Sequence, residues 1–233
     1  MKNSMYTEHA SEYAHAIKDN TFNAHYERPS FLSLLPVLKG KAILDLGCGP
    51  GEYFEFFLNE KCSNITAVDL SQSMVDIVKE RYGSNVNVYK QNLNMGIPKE
   101  KDSTYDLAVS ALTIHYIKNI FLLFKEVHRV LKKNGFFVFS THHPSLDFSY
   151  SESGDYFNTE ELTQTWQITG KPVEVSFYRR PLSSTFKALT EAGFHIKTIS
   201  EGHPTSKLKS ISAEDYKRLT TKPFFLFVRC RKI

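Results

Sequence analysis

Residues 43–51 read Ile-Leu-Asp-Leu-Gly-Cys-Gly-Pro-Gly: a short apolar run holding one acid, then glycine at alternate positions. Ala42 to Leu46 predicts a buried strand, and Glu52 to Glu60 predicts the helix that follows it. The loop between them, Gly47 to Gly51, lacks side chains where a ligand has to touch backbone. Glycine permits the tight turn and the close approach, and the helix start beyond it offers unpaired N–H groups. Asp45 stands near the carboxyl end of the strand, the edge at which open parallel sheets bind their ligands.

Spacing separates the candidate ligands. A dinucleotide loop follows Gly-x-Gly-x-x-Gly, which requires glycine at position 52, and that residue is Glu52. A carboxylate there occupies ground that a pyrophosphate needs, so a nicotinamide dehydrogenase is disfavoured. Asp-Leu followed by Gly-x-Gly-x-Gly instead resembles motif I of the class I S-adenosylmethionine-dependent methyltransferases. The resemblance implies S-adenosyl-L-methionine as cofactor, bound at Asp45, Gly47, Cys48, Gly49 and Gly51.

The chain's 233 residues suit one α/β domain with some elaboration, long enough to bury a core without staples. A hydrophobic content of 41% and a charged content of 23% are ordinary for globular proteins. The net charge of +4 comes from scattered basic residues, so nucleic acid is not an expected partner. Cys48, Cys62 and Cys230 form no Cys-x-x-Cys pair, and the histidines have no ligand spacing. Neither a disulfide framework nor a metal is expected. The first residues lack the apolar core of a signal peptide, and no run approaches the roughly eighteen apolar residues of a membrane span. A cytoplasmic protein without membrane association is the expectation.

Strands are predicted at 42–46, 64–69, 86–90, 105–110, 135–140, 194–200 and 223–230, with helices at 52–60, 71–82, 119–132 and 181–192. Ser71 reads as an N-cap, Gly83 as a stop, and Asn134-Gly135 as the close of helix 119–132. The alternation implies an α/β fold, a doubly wound, Rossmann-like sheet. A single domain over 1–233 is expected: an N-terminal helical cap (1–40) broken at Pro29 and Pro36, a cofactor-binding core (41–141), a cap insertion (142–180) and core completion (181–233). The insertion is rich in aromatics, which argues against disorder, and reads as a strand only at Val173 to Tyr178.

The resemblance to the methyltransferases extends over about residues 40–140 and adds positions in order. It implies a seven-stranded, mostly parallel sheet whose last strand, Pro223 to Arg229, is antiparallel. Asp69, ending the second strand, falls where the family's acid accepts both ribose hydroxyls, with Leu70 and Met74 flanking the adenine. Asn92 stands where the family often has an acid for the adenine amino group, and an amide carbonyl accepts the same bond. Leu93 would offer its N–H to the adenine ring, and Ser110 and Ala111 close the fourth strand. Tyr13 and the stretch Tyr26-Glu27-Arg28-Pro29 resemble the N-terminal helices of small-molecule members. His143-Pro144 and Tyr178-Arg179-Arg180-Pro181 recur in one bacterial subgroup. The Asn-Pro-Pro-Tyr signature of adenine and glutamine methylation is missing, which weakens that reading.

Methyl transfer from a sulfonium is an in-line displacement, to which positioning contributes much and a base contributes when the acceptor carries a proton. His115, after the fourth strand, and His143, after the fifth, are the candidate bases. Each has a plainer alternative as a partner of its own loop's backbone. Tyr13, Tyr26, Trp166 and Tyr178 are candidate walls for the acceptor, and Arg28, Arg179 and Arg180 are candidates for holding an acidic group, against core packing or surface solvation. The leading expectation is a methyltransferase acting on a small molecule at O, N or C. An RNA or protein methyltransferase, or a silent cofactor-binding protein of the same fold, is the alternative.

Overall fold

A computed structural model describes residues 3–233. After a short turn at Ser4–Tyr6 comes α1 (Ala10–Ala16); a π-helical turn at Asn23–Glu27 then runs into α2 (Arg28–Leu32). Pro29 does not break a helix. It sits in the first turn of α2, where its missing N–H has no partner to lose. The core then alternates: β1 (Ala42–Leu46), α3 (Phe54–Asn59), β2 (Asn64–Asp69), α4 (Gln72–Tyr82), β3 (Asn87–Lys90), β4 (Tyr105–Ser110), α5 (Ile120–Val130) and β5 (Leu131–His142). The remainder comprises α6 (Pro144–Phe148), β6 (Glu160–Trp166), β7 (Val173–Arg179), α7 (Leu182–Glu191), β8 (Phe194–Ser200), α8 (Ser206–Ile211), α9 (Ala213–Thr221) and β9 (Phe225–Lys232).

The main sheet has seven strands in the order β3-β2-β1-β4-β5-β9-β8. All are parallel except β9, which runs antiparallel to both β5 and β8. Helices cover both faces, so β1 is buried from Ile43 to Leu46 and reads as an apolar run broken only by Asp45. Strand order reverses at β1, which has β2 on one side and β4 on the other. A crevice opens outside the carboxyl ends of the strands at such a point. The glycine loop therefore lies at its mouth.

Helix ends follow local chemistry. Ser71 caps α4 by accepting the Met74 N–H at 3.3 Å. The sequence reading carried α5 too far, because Leu131 and Lys132 continue its pattern. The helix stops at Val130, and Leu131 is already extended and paired with Tyr105. Asn134 and Gly135 lie inside β5, where its register with β4 shifts.

β6 and β7 form a separate antiparallel hairpin, paired from Glu160↔Arg179 to Trp166↔Val173. Its apolar face, Leu162, Val173, Val175 and Phe177, packs on the fully buried Met5, with Tyr6, Tyr13 and Tyr116 alongside. The Asn3 side chain clasps Ser176 from both sides, donating to its carbonyl at 3.3 Å and accepting its N–H at 3.1 Å. The beginning of the chain and the hairpin thus meet over the loop after β4. β6 escaped prediction because Glu-Glu-Leu-Thr-Gln-Thr-Trp offers one buried apolar residue, Leu162. Among the described residues, no helix is long and apolar enough to cross a membrane.

Candidate functional site

The glycine loop is built for contact through bare backbone. Gly47 has φ +77°, and a Cβ there would lie 2.3 Å from Thr113 Oγ1, whose hydroxyl donates to the Gly47 carbonyl at 3.2 Å. Gly49 has φ +53° and no heavy atom within 4 Å of where a Cβ would stand, so its backbone is open to the crevice. The loop N–H groups are already used. Gly47 and Cys48 donate to the Val68 carbonyl (2.8 and 3.0 Å), Gly49 to Asp69 (2.9 Å) and Gly51 to Cys48 (3.1 Å). The loop thus presents surface rather than free donors. Glu52 is bridged by Arg28 at 3.3 Å and Arg81 at 3.1 Å, which anchors the loop's outer end.

Three carboxyl groups lie behind that loop. Asp69 accepts the Gly49 N–H on Oδ2 and the Ser71 N–H on Oδ1 (2.8 Å), which leaves each oxygen room for another donor. Burial raises its pKa. Asp45 is 2% exposed, and no donor among the described residues reaches its carboxyl. Burial, followed by the charges of Asp69 and Glu27, pushes it up to about 8. The sequence reading did not select the third acid, Glu27. It comes from the π-helical turn, is 3% exposed, and accepts from the Ser140 hydroxyl at 2.6 Å and from the Tyr53 hydroxyl. Burial raises its pKa as well. Its only signals were an acid inside an aromatic stretch and a π turn, a feature frequent at functional sites.

The other expected contacts take defined places around this trio. Tyr13 packs edge-on to Tyr6 (5.0 Å), and the Tyr6 and Tyr116 hydroxyls share a 2.6 Å hydrogen bond. Burial raises the Tyr13 hydroxyl, which also feels Tyr6, Glu27 and Asp69. The Ser71 hydroxyl donates to the Tyr6 carbonyl at 2.5 Å, tying this segment to the end of β2. Leu70 is exposed and Met74 fully buried. Asn92 Oδ1 accepts the Asn94 N–H at 3.0 Å in the turn that begins at the buried Leu93. Ser110 donates to the Leu46 carbonyl at 2.9 Å, and Ala111 follows it.

His115 is 3% exposed and lies just past β4. Its Nδ1 is 3.3 Å from the Thr141 hydroxyl, and its buried Nε2 has no partner among the described residues. The ring stacks on His142 at 3.8 Å, and His142 Nδ1 is 3.4 Å from Asp147 Oδ1, close but not aligned as a hydrogen bond. Burial, then the neighbouring His142 and Arg180, holds the His115 pKa well below its usual value, so the imidazole is neutral at pH 7. These groups, with Tyr178 and Thr185, line a cavity of about 20 Å³. Arg180 also lines it. Its guanidinium lies 5.1 Å over the Tyr178 ring and donates to the Ile117 and Lys118 carbonyls, with no carboxylate partner among the described residues. Burial lowers its pKa to about 10. Trp166 stands 5.7 Å from His142. A larger concavity, about 380 Å³, lies at Thr190 and Gly193 to Lys197, by the amino end of β8 and away from this chemistry.

Several expected site residues are committed elsewhere. His143 turns to the other side of β5 from His142, accepts the Ser145 N–H at 3.3 Å on Nδ1 and caps α6; its Nε2 faces Glu201 at 3.9 Å. Tyr26 stacks on Phe225 at 5.5 Å and donates to the Glu201 carbonyl. Arg28 is held by Glu52 and by the Ile17 carbonyl (3.1 Å). Arg179 is fully buried and staples the hairpin through Glu160 at 2.7 Å and the carbonyls of Asp155, Tyr156 and Asn158. Of the expected acceptor walls, Tyr178 and Trp166 are the ones that come near His115.

Comparison with known proteins bears on the fold and its family. Residues 44–139 match the methyltransferase domain family. A crystal structure of an S-adenosylmethionine-dependent methyltransferase from Mesorhizobium loti superposes with a TM-score of 0.75 at 26% identity, covering 88% of this chain and 97% of that one. A Haemophilus influenzae protein of uncharacterized function is 27% identical over 91% of this chain and 89% of its own length. A malonyl-[acyl-carrier protein] O-methyltransferase of Marinomonas is 35% identical, but over 47% of this chain and 41% of that enzyme. The chain thus spans less than half the length of that last enzyme. Residues 44–139 thus carry a methyltransferase domain, and the chain as a whole has the fold of an S-adenosylmethionine-dependent methyltransferase.

Proposed function

We propose that the chain transfers a methyl group from S-adenosyl-L-methionine to a small, acidic acceptor, at oxygen. The observation that carries this reading is the enclosed polar cavity at His115, Tyr178 and Arg180, beneath the hairpin. A neutral, buried imidazole is suited to take a proton, and an unpaired buried guanidinium to hold an anionic group. Relatives that match the core are O-methyltransferases of an acyl-carrier-protein-linked acid, which supports the oxygen acceptor.

The cofactor fits the crevice: backbone is bare at Gly49, and Asp45 is a buried carboxyl with no donor among the described residues. In this reading Asp69 takes the ribose hydroxyls on its free lone pairs, while Leu70, Met74 and Leu93 supply apolar contacts to the adenine. Asn92 offers its remaining acceptor capacity there, and Tyr13, Cys48, Ser110 and Ala111 enclose the methionine part. Residues 41–141 and 181–233 hold the cofactor; residues 1–40 and 142–180 exclude water from the reacting atoms. When bound, the cofactor supplies an electrophilic methyl group. His115, in its neutral form, holds the acceptor's proton as that group moves, with Trp166 and Tyr178 fixing the acceptor's approach.

Calorimetric titration with S-adenosylmethionine, S-adenosylhomocysteine and NAD tests the cofactor; binding of NAD alone would overturn it. Asp69→Ala is expected to weaken cofactor affinity at least about tenfold, the worth of lost charge-assisted bonds. Unchanged affinity would remove the ribose role. His115→Gln is expected to lower kcat about 100-fold or more while cofactor affinity holds. Equal turnover by that variant would make His115 a bystander.

A further inference from the structure

Buried charges in folded proteins are paired. The carboxyls of Glu27, Asp45 and Asp69 are not. The groups that face them from every packed element are neutral or already engaged. From the N-terminal segment and α1 come Tyr6 and Tyr13, from the glycine loop Cys48, and from the lead-in to α3 Tyr53, each a proton-holding group whose pKa burial raises. Ser140 of β5 donates a neutral hydroxyl to Glu27. The nearest cation, Arg28, spends its guanidinium on Glu52 and on the carbonyls of Ile17 and Lys18. Asp45, between the other two acids in the field it feels, has no donor among the described residues.

We propose that Glu27 is the third anionic wall of the cofactor crevice, and that it makes the crevice select the sulfonium cofactor over its thioether product. The proposal rests on S-adenosyl-L-methionine as cofactor. That molecule brings an ammonium and a sulfonium into the crevice; after transfer the sulfur is neutral and one of the two positive charges is gone. The uncompensated acids supply the counter-charge, so product is held less firmly than substrate and leaves. Glu27 reaches this place through the π-helical turn, which sets it on the end of β5 next to the loop that bears His115. The two hydroxyls on it fix the carboxylate's direction without neutralising it.

The test is isothermal titration of the full chain with S-adenosylmethionine and S-adenosylhomocysteine near pH 7.5, in buffers of different ionisation heat. For the wild type, S-adenosylmethionine is expected to release more protons than S-adenosylhomocysteine. Glu27→Gln is expected to weaken S-adenosylmethionine at least about tenfold, to leave S-adenosylhomocysteine within about twofold, and to reduce the proton release. Tyr53→Phe removes a hydrogen bond from Glu27 but keeps its charge, so the ratio of the two affinities is expected to survive. Equal weakening of both ligands in Glu27→Gln, or the same change of ratio in Tyr53→Phe, would make Glu27 structural and overturn the proposal. Failure of both ligands to bind the wild type would overturn the cofactor reading itself. Thermal melts of both variants identify loss of fold, and a folded Glu27→Gln with an unchanged ratio refutes the selectivity.

Discussion

Asp45→Asn is expected to make the free protein more stable at pH 8 and a worse binder of its cofactor. Burial raises the Asp45 pKa from 3.8 to about 8, so the folded state holds a proton that the unfolded chain has released. For an acid with a raised folded pKa, the sign runs against habit. The stabilising contribution is complete below pH 3.8 and is lost as pH climbs through 8. The loss is at most on the order of 5 kcal/mol, by the linkage of pKa to folding free energy. Denaturant melts at pH 5, 7 and 9 should show the wild type losing stability across that range, while Asp45→Asn, with nothing to ionise, loses less. Parallel slopes for the two proteins would sink the assignment. The same carboxyl predicts that S-adenosylmethionine binds more tightly as pH rises toward 8, because the charged form is the one that meets a cation. Asp45 is thus a residue whose stability is sacrificed to its ligand.

Gly47→Ala is the second large expected effect. The residue has φ +77°, and its new Cβ would stand 2.3 Å from Thr113 Oγ1 and 2.8 Å from Thr113 Cβ. Backbone strain and overpacking together predict a loss of about 3 kcal/mol or more. The displaced loop should take cofactor binding below detection by calorimetry, since Gly49 and its bond to Asp69 move with it. Thr113→Ala in the same chain deletes the two closest atoms and is expected to recover part of the stability, a non-additivity that marks direct contact. A single Gly47→Ala variant that melts and binds like the wild type would refute the loop geometry.

What could be read in advance follows from how residues announce themselves. β1 and its loop are legible because an apolar run and alternating glycines have few other uses. β2, β4 and β8 were bounded correctly because their flanks change composition sharply. Glu27 was illegible, because a buried acid and a surface acid look the same until the chain is folded. Arg179 and Arg180 show the limit best. They are identical neighbours at the end of β7, and strand alternation sends one into the hairpin's own loop and the other over Tyr178 beside His115. Only the pairing of β7 with β6, a strand with almost no sequence signal, decides which is which. His142 and His143 divide in the same way at the end of β5.

The position of β9 bears on how such a chain is made. Phe225–Lys232 follow β5 and β8 in the chain, yet they lie inside the sheet, between those two strands. Until they arrive, β5 shows an open edge of backbone donors and acceptors beside Phe137 and Phe139, and β8 has no partner on the sheet. The glycine loop and its neighbours are able to form early, from segments close together in the chain. Closure of the sheet waits for β9. The interval between the two is when an exposed, apolar β5 edge is open to pairing with another molecule.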